Sequence, residues 1–452
     1  MSDRFITVDY ETALDMTVSV RECVPPGHLA RFVVEVIGQL DLSSIYARYG
    51  GRGGVAYAPE ILLAVLFYGY ASGVFSSRQI ETATHESVPF RYLAGGLHPD
   101  HDTIAYFRKR FLPEIQGLFV DVLLLAQTVG VLRLGRLSLD GSKVHADASK
   151  SKAVSYKRLV EREHELHTEV EELMALGAQA DAGALPEGLA IEEELRFRKK
   201  RLANLAQAKS VLEARAEERY QTELAEYEGK LRAREEKAQQ TGRRPGGRPP
   251  EPPTPGPGNK DQYNFTDPDS RIMKNCTNQG FDQHYNVQVA VDQDSRLIVG
   301  ESLSNHPNDQ REAQPTLDAI APELGTPEAA ALDTGYFSAE NIAALEERGI
   351  DPYIATGRSG HHQSWKERFA EQPEPPGEDA SPKEKMAYKL KTAIGKVIYG
   401  ARKYTVEPVI GIIKEILGFR QFSLRGEQAA AGEWCLVCCA FNLKRLHTLL
   451  QG

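Results

Sequence analysis

An acid interrupts an apolar alternation in residues 137–149 (LSLDGSKVHADAS). The segment begins as a strand-like pattern, and Asp140 sits inside it, followed at once by Gly141. A carboxylate in a strand that otherwise reads as buried costs free energy unless a positive charge neutralises it. A divalent cation neutralises several such acids at once. Two distant stretches offer partner carboxylates: Asp333 in residues 331–337 (ALDTGYF) and Glu407 in residues 404–414 (YTVEPVIGIIK). Three convergent carboxylates with open coordination positions suit Mg2+, which keeps water and phosphate oxygens as ligands. Two such ions roughly 4 Å apart would activate a nucleophile and stabilise the leaving oxygen of a phosphodiester. Each acid also has a plainer reading. Asp140-Gly141 is a common turn dipeptide, Asp333-Thr334-Gly335 reads as a turn or helix cap, and Glu407 before Pro408 reads as a first-turn acid.

The elements that would bring these acids together lie on both sides of a long interruption. Asp140 belongs to a first strand. Residues 284–292 (HYNVQVAVD) alternate as a second, and residues 297–303 as a third, with a turn at 294–295. Residues 311–324 read as helix, 328–332 as a short apolar strand ending at Asp333, and 338–348 as an amphipathic helix capped by Ser338. A strand over 351–355 and helices over 397–417 and 433–450 complete the series. Three hairpin-style strands followed by β–α alternation predict an α/β fold, a ribonuclease H-like mixed sheet core. In that topology the first and fourth strands are central neighbours and the late helix packs over them, so the three acids converge.

Residues 1–130 read as an all-α N-terminal domain. Residues 58–73 carry Pro at the start, an apolar body and Gly at the end. Ser76 to Gln79 has a capping-box spacing, and Asp102 is placed to cap a helix containing Arg108, Lys109 and Arg110. Short helices with a basic third member suit a DNA-reading domain, or equally a packing domain with a solvated basic face. Residues 131–149 begin the core, and 150–242 insert a charged helical hairpin. There Leu159, Leu166, Val170 and Leu173, and again Leu195, Leu202, Leu205 and Leu212, follow a coiled-coil rhythm. The hairpin reads either as an arm that dimerises or as a solvated insertion. A Pro/Gly linker occupies 243–262, and 263–452 hold the rest of the core, with a mobile loop near 358–385. His361 and His362 lie in that polar loop and read as solvated.

Composition narrows the field. A chain of 452 residues with 41% hydrophobic residues supports two or three domains with real cores. No apolar run reaches membrane-spanning length, and the N-terminus lacks the shape of a signal peptide, so a cytoplasmic protein with no membrane partner is expected. The net charge of -9 is a mild argument against nucleic-acid binding, though phosphate contacts need only a local basic face. Of five cysteines, Cys435, Cys438 and Cys439 cluster in an apolar stretch and read as packing rather than as a metal site.

The motifs together resemble the DDE transposases of bacterial insertion sequences, the group with a Tyr-Arg-Glu-Lys signature. Residues 139–143 (LDGSK) resemble the first-aspartate motif and 331–336 (ALDTGY) the second. Tyr399, Arg402, Glu407 and Lys414 line up with the signature, with an Arg-to-Glu gap one residue longer than the common form. Residues 271–274, 285–292, 420–426 and 442–445, and the N-terminal 57–110, are also similar. The resemblance implies metal-dependent strand cleavage and strand transfer on DNA. Asp140, Asp333 and Glu407 would be the catalytic, metal-holding acids for two Mg2+ ions, for which Mn2+ can substitute. It implies double-stranded DNA as partner, both terminal inverted repeats and target, contacted by Tyr399, Arg402 and Lys414, with Arg108, Lys109 and Arg110 from the N-terminal domain. It further implies a homodimer on paired DNA ends and association with the nucleoid when DNA is bound. Two other readings of the chain are a catalytically inactive or domesticated DNA-binding protein and another ribonuclease H-like nuclease.

Overall fold

The computed structural model describes residues 5–6, 9–11, 19–50, 55–179, 189–243, 246–275, 280–357, 374–377 and 379–452. The His361 and His362 pair and much of the loop expected near 358–385 lie outside the described residues; Pro382–Lys391, at that loop's end, is helical. Two compact units divide the chain. Residues 1–147 with 269–452 make one, and 148–268 make the other.

The first unit is organised by a six-stranded sheet. Its strands are β1 (Arg136–His145), β2 (Arg271–Lys274), β3 (Phe281–Asp292), β4 (Ile298–Ser304), β5 (Ala329–Leu332) and β6 (Asp351–Ile354). The order is β6-β5-β1-β3-β2, with β4 also paired to β3. β1 runs antiparallel to β3 and parallel to β5, and β5 runs parallel to β6. Apart from the short β2, this is the ribonuclease H-like arrangement expected from the element order. β5 (AAAL) is buried at every position, as a strand covered on both faces must be.

Helices of the N-terminal region belong to this same unit. They include α1 (Pro59–Ala71), α2 (Ser77–Glu86), α3 (His101–Arg110) and α4 (Leu112–Thr128). α1 is buried on almost every side, with Pro59 at its first position. The caps differ from expectation. Ser76 makes no side-chain cap bond. Asp100, rather than Asp102, caps α3, accepting from the Thr103 N–H at 2.8 Å. Among the described residues no single helix is long and apolar enough to cross a membrane.

The second unit holds the interruption. α5 (Tyr156–Gln179) and α6 (Ile191–Thr241) form the helical hairpin. Leu159, Leu166, Leu205 and Leu212 meet in its seam with Ala208 and Tyr263, so the seven-residue rhythm is a packed interface. A two-stranded ribbon, Ala153–Ser155 with Gln262–Asn264, closes its base.

Over the sheet of the first unit lie α7 (Ala313–Asp318), α8 (Ala339–Glu347), α9 (Ala393–Gly400), α10 (Val406–Gly411) and α11 (Glu427–Gln451). α11 packs on β4, α1 and α4 at once, and so joins the N-terminal helices to the core. It buries Trp434, Leu436, Phe441 and Leu443, each of which contributes roughly 1.5–3 kcal/mol of transfer free energy. Cys435, Cys438 and Cys439 are buried on the same helix, and burial raises all three thiols, which keeps them protonated packing groups. The helix expected over 397–417 is broken: after α9 come a tight turn at Ala401–Tyr404, then α10, then a π-helical turn at Ile412–Ile416.

Candidate active site

Asp140 lies in the middle of β1, opposite Val289 of β3, so Asp140-Gly141 is strand interior rather than a turn. Its side chain is 22% exposed. Strand alternation puts Ser138, Asp140 and Ser142 on one face, towards α10 and the turn Ala401–Tyr404, and Gly141 on the other. The Gly141 N–H donates to Asp140 Oδ1 at 2.9 Å. Arg402 Nη2 lies 3.0 Å from Oδ2. Burial pushes the Asp140 carboxyl up to about 6 against the downward pull of Arg402; the charges of Asp333 and Asp309 add to the rise.

Asp333 sits where β5 ends, beside β1, because the parallel register pairs Ser138 with Ala331. It does two things at once. Oδ1 accepts from the Gly335 N–H at 2.7 Å and so caps the turn Thr334–Tyr336, while its charge reaches Asp140 and Arg402. The turn-capping alternative read from the sequence is thus observed, on a residue that also stands beside Asp140 and Arg402.

Glu407 stands exposed in the first turn of α10, a helix that packs on β1 and β3. Among the described residues no three carboxylates, imidazoles or thiols converge closely enough to hold a cation. The convergence expected from sequence is thus a coupled pair, Asp140 with Asp333, and a third acid on the adjoining helix. The positive charge at Asp140 comes from Arg402.

Arg402 is 6% exposed and its Nε has no hydrogen-bond partner. It lies over the ring of half-buried Tyr399 at 5.7 Å from the centroid. Arg402, expected as a DNA contact, is engaged in this structure in an internal ion pair, as a carboxylate this buried demands a neighbouring cation. Lys414 falls in the π-helical turn, and its Nζ donates to Ser142 Oγ at 2.9 Å and to the Lys143 carbonyl at 3.0 Å. It pins β1 two residues beyond Asp140 instead of pointing to solvent.

The basic run of α3 divides. Arg108 is 5% exposed; Nη1 donates to Tyr70 Oη at 2.7 Å and to the Phe75 carbonyl at 3.0 Å, and lies 3.8 Å from Glu433 Oε1. Arg108 is a structural ion, not a DNA-facing one, since it shares the buried stripe of Ile104 and Phe107. Lys109 is exposed. With Arg48 and Arg110 it lines a cavity of about 280 Å³ beside the first turn of α11.

Sequence reasoning missed three residues around the acids. Asn286 and Gln288 are buried polar side chains of β3, and both donate to Asp309 Oδ1, at 2.8 and 2.9 Å. The signal was two amides at alternate positions of an otherwise apolar strand. Gly141 makes room for them: a Cβ there would lie 2.3 Å from Gln288 Nε2.

Two family models match the chain. A Transposase domain (DUF772) covers residues 18–110, and a Transposase DDE domain covers residues 258–443. The chain belongs to the insertion-sequence DDE transposases. Neither the curated proteins nor the solved structures hold a significant match. The DDE match includes Asp333, Tyr399, Arg402, Glu407 and Lys414 of this transposase; Asp140 precedes it and is tied to the rest by the β1–β5 pairing. The helical match includes α1 to α3, with Lys109 and Arg110 at its end.

Proposed function

We propose that this transposase cleaves and joins DNA strands by metal-dependent phosphoryl transfer, with Asp140, Asp333 and Glu407 as the catalytic acids. One observation carries the reading. Two carboxylates nearly two hundred residues apart in sequence are brought together, Asp140 on one central strand and Asp333 at the end of its parallel neighbour, and the Asp333 charge reaches Asp140.

The donor set fits a hard cation. Both acids offer oxygen only, both are partly shielded from water, and the pair already holds a cationic group in the form of Arg402. Asp140 and Asp333 would hold Mg2+ or Mn2+ together, with Glu407 supplied from α10. Bound there, such ions lower the pKa of an attacking water and neutralise charge developing on phosphoryl oxygens. The chain's own residues do the remaining work. Lys414 fixes the register of β1 behind Asp140, and Tyr399 orients the Arg402 guanidinium. Arg402, released from Asp140, becomes free to pair with a DNA phosphate. Lys109, Arg110 and Arg48 supply phosphate contacts away from the acids. A homodimer on two DNA ends, terminal repeats and target as substrates, and a cytoplasmic, nucleoid-associated location belong to the same reading.

A second reading rests on the Arg402–Asp140 pair itself. An acid site neutralised from within suits a DNA-binding protein without catalysis. Linear DNA carrying the terminal repeats, incubated with the transposase and Mg2+, separates the two. The proposal expects nicks at the repeat ends that leave 3′-hydroxyls. Uncut DNA, with binding to the same ends proven by gel shift, establishes the second reading.

A further inference from the structure

Asp309 lies in a polar segment after β4, where the sequence (NHPNDQRE, 305–312) gives no periodic signal. Its carboxylate is nonetheless built into the sheet. Oδ1 accepts from the amides of Asn286 and Gln288, both about 1% exposed. A carboxylate only accepts, so the Gln288 amide must turn its nitrogen to Asp309 and its oxygen away. That oxygen accepts from Tyr336 Oη. Tyr336 closes the turn that Asp333 caps, and its carbonyl accepts from Asn341 Nδ2 at 2.7 Å, the same amide that donates to the Gln310 carbonyl.

The second oxygen faces the same turn. A Cβ on Gly335 would lie 3.0 Å from Asp333 Oδ1 and 3.5 Å from Asp309 Oδ2, so the two acids border the same space, which the missing side chain leaves open. Strand alternation puts Gln288 on the sheet face opposite Asp140, and the missing side chain of Gly141 lets its amide lie against β1. Asp309 thus approaches the acid pair from behind, through Gln288 and the Gly335 turn. Its charge reaches Asp140.

We propose that Asp309 is a positioning residue for the acid pair: through Gln288 and Tyr336 it fixes the turn that aims Asp333 at Asp140, and its negative charge strengthens cation binding there. The proposal rests on the function put forward above. Groups that orient a cation's ligands from behind are worth about ten- to hundredfold in affinity. Asp309→Asn keeps the shape and an acceptor but removes the charge. Asp309→Ala removes both and leaves the two buried amides without their acceptor.

The test is Mn2+ binding followed by electron paramagnetic resonance, on the full-length protein without DNA, with circular dichroism to verify folding. Asp140→Asn serves as the control for the acid pair. Expected is a loss of about tenfold or more in Mn2+ affinity for Asp309→Ala and a smaller loss for Asp309→Asn, both folded. If Asp309→Ala does not fold, Asp309→Asn alone decides by the same comparison. Wild-type affinity in a folded Asp309 variant, while Asp140→Asn loses binding, overturns the role of Asp309 and leaves the function standing. Mn2+ binding that is unaffected by Asp140→Asn overturns both.

Discussion

Arg108→Met should unfold this protein more easily without weakening the DNA affinity of the folded fraction, and Lys109→Ala should do the reverse. The two residues are neighbours in one basic run, yet the turn of α3 between them leaves Arg108 buried and Lys109 exposed. Arg108 donates to Tyr70 and Phe75 and faces Glu433, which is 0% exposed. Removing one member of a buried pair costs about 3–5 kcal/mol, because the other charge is left without compensation. Glu433 keeps three donors after the change: Tyr70 Oη at 2.8 Å and the Ser423 and Leu424 N–H groups at 2.8 and 3.0 Å. That places Arg108→Met at the lower end, about 3 kcal/mol, a large share of a usual stability of about 5–15 kcal/mol. The double variant with Glu433→Leu should recover most of the loss, since an apolar replacement of the whole pair is near neutral. Guanidinium denaturation measures these changes. Salt titration of end-DNA binding measures the other arm, where Lys109→Ala should reduce the salt slope by about one and move stability by less than about 0.5 kcal/mol. Wild-type stability in Arg108→Met, together with weakened binding and a shallower slope, would refute the division of the basic run.

Three further outcomes are expected. Glu301 of β4 faces α11 beside the Cys435 thiol, and burial pushes its carboxyl from the ordinary 4.5 up to about 7. The stability it permits is full below pH 4.5 and falls as pH rises through 7, by up to about 3 kcal/mol. Glu301→Gln should therefore flatten the pH dependence of denaturation between those values and stabilise the protein above pH 7; an unchanged slope would contradict the placement. Gly141→Ala drives a Cβ to 2.3 Å from Gln288 Nε2 and should cost about 1–3 kcal/mol by overpacking, where wild-type stability would show that the Gln288 bracket yields freely. Arg402→Gln leaves Asp140 beside Asp333 without a counter-ion. The loss of stability should grow as pH rises above about 6, where Asp140 ionises, and added Mg2+ should restore it; thermal melts indifferent to both pH and Mg2+ would contradict the ion pair's role.

Much of the sheet was readable because period-two patterns and a lone acid in an apolar strand leave few alternatives. The order of strands followed from their sequence order and put Asp140 beside Asp333 without any contact being known. What escaped was direction. A run of Arg108, Lys109 and Arg110 announces charge but not the face it occupies, although the stripe of Ile104, Phe107 and Phe111 contained the answer for Arg108. The single helix expected over 397–417 gave no sign of its breaks, and the π-helical turn at Ile412–Ile416 carries Lys414 back to β1. The sequence asked for a positive charge beside Asp140 but did not name Arg402, because the tight turn at Ala401–Tyr404 that places it there has no periodic signal. Asp309 was invisible for a simpler reason: a loop residue acquires its meaning only from Asn286 and Gln288, which reach it across the sheet.

Glu407 is the acid whose part in the site depends most on rearrangement, so single-turnover cleavage by Glu407→Gln is the sharpest measurement. It should be run with saturating Mg2+ on terminal-repeat DNA, beside Asp140→Asn and Asp333→Asn. All three proteins should bind the ends like the wild type and cut at rates reduced by at least about a thousandfold. Cleavage near the wild-type rate by any one of them would contradict the assignment of these acids to a single phosphoryl-transfer site.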